Sequence, residues 1–137
     1  MLLPDVGAYL AATTLGLSFG STGNLFIVPI PETAPDRSVS VLEYSGASSV
    51  RAFSTGNPVA ERPRFQVVVR EELNNFASGR QLAEDIHAAL DGLGTTTMES
   101  GTRWLFVRAL QPPFYLSEDG GAQHRWITNY EAIKDRG

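Results

Sequence analysis

The stretch ERPRFQVVVR, Glu61–Arg70, decides how the chain is read. A proline stands near its entry, an arginine closes it, and Phe65, Val67 and Val69 fall on alternate positions. Successive side chains of a strand point to opposite faces, so one face is purely apolar while the other carries Arg64, Gln66 and Arg70. An apolar face needs a cover, and the next segment supplies one. From about Asn74 to Leu93, Phe76, Leu82, Ala83, Ile86, Leu90 and Leu93 share one side of a helix. Arg80, Glu84, His87 and Asp91 lie away from that side, and Gly92 and Gly94 end the helix. The polar side of the strand is left without an obvious purpose.

Working outward, the start of the chain reads as a second helix. Pro4 suits a first turn, Asp5 adds an anion near the positive end, and Val6, Leu10 and Thr13 recur near the helical period. Gly16 is a terminator, SFGSTGN is turn chemistry, and LFIVPIP (25–31) is a short strand stopped by prolines. PETAPDRS (31–38) forms a rigid loop, and VSVLEY (39–44) alternates as a strand.

Residues 45–63, SGASSVRAFSTGNPVAERP, give a long loop. Connections of this length without structure are uncommon in compact domains. Two readings stay open: a docking element anchored by Phe53, or an Ω-like loop folded on Val50, Phe53 and Val59. RWLFVRALQ (103–111), apolar on both faces apart from its arginines, predicts a central strand. PPF breaks it, SEDGGAQ (117–123) turns, and HRWITNYEAI (124–133) is the last strand.

The expected fold is one α+β domain over residues 1–137, with a mixed, mostly antiparallel sheet of about four to five strands and two helices on one face.

Composition narrows the function. The 137 residues are 42% apolar, enough for a folded core, and contain no cysteine, which excludes disulfides, thiolate metal sites and cysteine nucleophiles. Cytoplasmic synthesis fits that absence. A formal charge of −4 disfavours broad capture of nucleic acid, which depends on cations neutralising phosphates. Lys134 is the single lysine; the remaining cations are arginines, suited to planar contacts with carboxylates. No apolar run approaches the ~18 residues of a membrane span. The opening MLLPDVGAYLAATTLGL lacks a basic leading region and is read as structure.

No constellation carries catalysis. His87, between Glu84 and Asp91, reads as a solvated helix face with weak ion pairs. His124 near Asp119 lacks a third metal ligand. GSTGN (20–24) has no following G-K-[ST] and leads into a strand, so it is a turn and not a phosphate cradle. The acidic pairs Glu71–Glu72 and Glu118–Asp119 have no activated nucleophile beside them. Trp104, Phe106 and Arg108 could stack on single-stranded nucleic acid, but both aromatics are expected in the core with Arg108 at its margin. No enzyme, cofactor or metal site is expected.

Together, ERPRFQVVVRE, FASGRQLAEDIHAALDGL, RWLFVRALQPPF and SEDGGAQHRWITNYEAI resemble the tail terminator, or minor capsid, proteins of long-tailed bacteriophages, over roughly Leu3 to Ile133. The resemblance implies a virion protein of the neck that assembles as a hexameric ring. That ring would cap the tail tube, end tail elongation and join the head–tail connector, with phage DNA passing through its lumen without specific binding. The partners implied are further copies of the chain, the tail tube protein and the connector or stopper protein. Expected contact residues are Phe53, Arg64, Gln66, Arg70 and Arg108. The alternatives are a neighbouring head completion or stopper protein, or a small ligand-binding domain, which would need a deep pocket with convergent polar groups.

Overall fold

The computed structural model describes residues 2–19, 23–31, 34–51, 58–98, 100–119 and 123–135. Helix α1 (Leu2–Ala11) is followed by strands β1 (Leu25–Phe26), β2 (Ser38–Arg51) and β3 (Pro58–Glu72). A 3-10 turn (Leu73–Asn75) leads into α2 (Phe76–Leu90), and then come β4 (Thr96–Thr97), β5 (Arg103–Ala109), β6 (Phe114–Asp119) and β7 (Gln123–Asp135). The strands form one seven-stranded sheet in the order β1-β2-β3-β7-β5-β4, with β6 paired to the first half of β7. Among the described residues only β1 with β2 is parallel. The α+β class and the mostly antiparallel sheet match the expectation. The two extra strands are β4, too short to show a period, and β6.

Phe65, Val67 and Val69 turn inward as their alternation requires, joined by Val39 and Val41 of β2, Trp126 and Tyr130 of β7, and Trp104 and Val107 of β5. Leu82, Ile86 and Leu90 of α2, with Val6 and Leu10 of α1, cover them in one cluster. Both helices therefore lie on the same face. Phe65 stacks on Tyr130 at 5.3 Å and meets Trp104 edge-on at 6.3 Å, geometries that add to simple burial. Gly79 lets α2 approach closely: a Cβ there would sit 2.6 Å from both Glu71 Cβ and Trp126 Cζ3. Gly92 ends the helix segment at φ +80°, a conformation that suits glycine, and donates its N–H to the Val107 carbonyl.

Three expectations need correction. Residues 45–63 are not a loop throughout: β2 continues to Arg51 and β3 begins at Pro58, with Ala47 opposite Arg62 and Val50 opposite Ala60. The Ser- and Gly-rich composition hid a long hairpin, whose register slips after Glu43 and again after Ala47. β5 is not central, since it is flanked by β7 and the two-residue β4, and the central pair is β3 with β7. Phe106 is not core. A bulge between Trp104 and Phe106 breaks the alternation of β5, burying Trp104 and Val107 while Phe106 turns outward, 40% exposed. The second half of the GSTGN turn is described, and Asn24 closes it by accepting from the Ser18 N–H at 3.0 Å; residues 20–22 lie outside the described residues.

Candidate functional site

Helices cover one face of the sheet. The chain at Val28 and at 34–36 covers only part of the other face and leaves the rest open; Ser40 donates to the Val28 carbonyl and Arg70 to those of residues 34–36. Register places the side chains of that open face: Arg64 faces Glu131, Gln66 faces Asn129 and Val68 faces Ile127 across β3 and β7, while Arg108 of β5 faces Glu131 from the other side. At its centre the Gln66 side-chain amide donates to Asn129 Oδ1 at 2.9 Å.

Glu131 is the focus. Its side chain is only 1% exposed, yet three arginines surround it: Arg64 Nε at 3.0 Å, Arg108 Nη2 at 3.0 Å and Arg62 Nη2 at 3.5 Å. Burial by itself would raise its carboxyl. Hydrogen bonds from Arg64 and Arg108, with the charges of Arg62 and Arg108, outweigh that and hold it below the usual carboxylate range. The arginines are a third to a half exposed, Arg108 the most at 53%. One buried carboxylate thus aligns three guanidinium groups whose outer edges still face solvent. Around them stand exposed Phe106, Leu110 and Phe114. Arginine with aromatic residues is the composition that interface cores enrich.

The expected contact residues divide. Arg64, Gln66 and Arg108 meet on this face. Arg70 belongs to the same strand face but is buried, and it donates to the backbone carbonyls of Ala34, Pro35 and Asp36 at 3.2, 2.8 and 3.4 Å. It fastens the 34–36 segment onto the sheet. Phe53 lies outside the described residues. Sequence reasoning missed Arg62 and Glu131. Strand alternation did offer Glu131 as the outward neighbour of Tyr130, but the pairing that sets it between β3 and β5 is a matter of register.

The opposite side of the molecule is the solvent face of α2. Arg80 pairs with Glu84 at 3.4 Å, Gln81 donates to Asp85 at 2.8 Å, and His87 lies 3.8 Å from Asp91. Of the two acids expected to flank His87, Asp91 lies beside it and Glu84 pairs with Arg80 instead. His124 shares a 2.8 Å hydrogen bond with the Tyr115 hydroxyl in an aromatic group with Phe76 and Trp126; the side chain of Asp119, expected near it, lies outside the described residues. Phe76, Arg80, Glu84, Pro113, Tyr115 and Trp126 line a cleft of about 240 Å³, below the ~300 Å³ at which small-molecule sites begin. Among the described residues no group of three or more His, Asp or Glu could hold a metal ion, and no helix is long and apolar enough to cross a membrane.

Two solved structures share the fold. A chain from the virion of a native gene transfer agent particle superimposes with a TM-score of 0.69 at 18% identity, over 98% of this chain and 95% of that one. A second solved chain aligns with a TM-score of 0.54, also at 18% identity, over 94% of this chain and 88% of the other. No curated protein matches the sequence. The sequence profile of the bacteriophage tail terminator protein matches residues 10–136, nearly the whole length. The chain therefore belongs to the bacteriophage tail terminator family, and is a structural component of the virion.

Proposed function

We propose that the protein forms a ring, hexameric in number, at the top of the phage tail. There it caps the tube, ends elongation and joins the tail to the connector, with DNA passing through the lumen. The observation that carries this reading is the uncovered sheet face of a family member: three arginines fixed on buried Glu131, beside exposed Phe106, Leu110 and Phe114. A monomer gains nothing by holding cations and aromatics in a fixed array at its surface. A ring does, because each copy must present one patch to a different patch on the next. Arg64, Gln66 and Arg108, together with Phe53, are the proposed contact residues, whereas Arg70 supports the fold from beneath the 34–36 segment.

Native mass spectrometry across a concentration series, with and without purified tail tubes, tests this. A six-fold species is expected, either free or only on the tubes. A monomer or dimer that ignores the tubes would overturn the ring and turn attention to a connector-side role.

A further inference from the structure

The ring reading leaves open which patch meets which, and the charge distribution supplies an answer. On the open sheet face, among the described residues, Arg62, Arg64 and Arg108 gather on the single carboxylate of Glu131, a local excess of two positive charges. On the solvent face of α2 and its C-cap, Glu84, Asp85 and Asp91 stand against Arg80, an excess of two negative charges. These surfaces lie on opposite sides of the two-layer fold, so they cannot neutralise one another within a chain. We infer that, in the assembled ring, the arginine-bearing sheet face of one copy docks on the acidic face of α2 in the next. The inference rests on the ring reading above and names its interface.

Three physical points support the match. The contact joins two different patches, as head-to-tail closure requires. The charges are complementary, which fixes register and suppresses the wrong pairings of sheet face with sheet face and helix with helix. Each side also brings an apolar component: Phe106 and Phe114 on the sheet, and the cleft between Phe76 and Tyr115 beside α2. The ion pairs now on α2 are exposed and weak, so they are free to exchange partners.

Charge reversal tests this directly. One variant is Arg108→Glu, which leaves Arg62 and Arg64 on Glu131; the other is the double change Glu84→Lys, Asp85→Lys. Each alone sets like charges opposite one another and is expected to raise the concentration for half-assembly by about a hundredfold or more. An equimolar mixture is expected to restore rings that contain both variants in equal number. In such a ring, reversed sheet faces meet reversed helices, and native faces meet native ones. If the mixture stays unassembled, or the helix variant assembles like the wild type, this interface is wrong although the ring stands. Should wild-type protein itself form no ring with or without tubes, the ring reading falls and takes the interface with it. If Arg108→Glu fails to fold, the helix variant decides alone, because its substitutions lie on the helix surface far from Glu131.

Discussion

A carboxylate held by three arginines makes the open face sensitive to one proton. The folded state lowers the affinity of Glu131 for that proton relative to the unfolded chain. Its contribution to stability is therefore fully present above the unfolded carboxylate value, about 4.3, and is lost as pH falls through the lower folded value. Replacing Glu131 with Gln leaves the three guanidinium groups in mutual repulsion with no anion between them. The arginines are partly solvated, which moderates the penalty to about 2 kcal/mol at neutral pH. Urea unfolding at pH 7 measures the loss, and the gap between wild type and Glu131→Gln is expected to narrow in acid. A constant gap down to pH 3 would show that charge is not what the residue contributes.

At the scale of elements, the placement of α2 depends on one missing side chain. Gly79→Ala raises helix propensity by close to 1 kcal/mol, but its methyl would fall within 2.6 Å of both Trp126 and Glu71. Overpacking typically costs 1–3 kcal/mol. Trp126 is 3% exposed and hemmed in by Phe76, Tyr115 and His124, so it has little room to yield. A net loss of about 1 kcal/mol in thermal or urea unfolding is expected; a gain would mean that α2 shifts freely on the sheet. The legibility of the elements follows from similar physics. Long periodic runs announced themselves: α2, the inward face of β3 and residues 124–133 of β7 stood in the periodicity of the residues. What escaped notice depended on contacts between distant segments. The bulge that turns Phe106 outward, the register that places Glu131 between Arg64 and Arg108, and the pairing that makes strand of 45–51 are set by neighbours in space. Arg70 was legible as a polar-face residue, but the carbonyls it secures lie some 34 to 36 positions earlier in the chain.

Over the whole molecule the formal charge totals −4. Such a chain is expected to show negligible affinity for duplex DNA at physiological salt, since three of its arginines are held on a buried carboxylate and its net charge repels phosphate. Fluorescence anisotropy with a labelled duplex checks this, and sub-micromolar binding would argue against a passive conduit. The margins of the sheet set a further limit on how copies can associate. Its ordered path ends in β1 and β4, each two residues long, and the free side of β6 is kinked between Tyr115 and Ser117. Among the described residues β2 runs on past its pairing with β1 at Val39 and Ser40, but its register shifts after Glu43 and Ala47, which makes it a poor template for another chain. Growth by endless strand addition, the route to fibrils, is disfavoured by such short and irregular margins. Association is then left to contacts between faces, the kind that the proposed ring would close on itself.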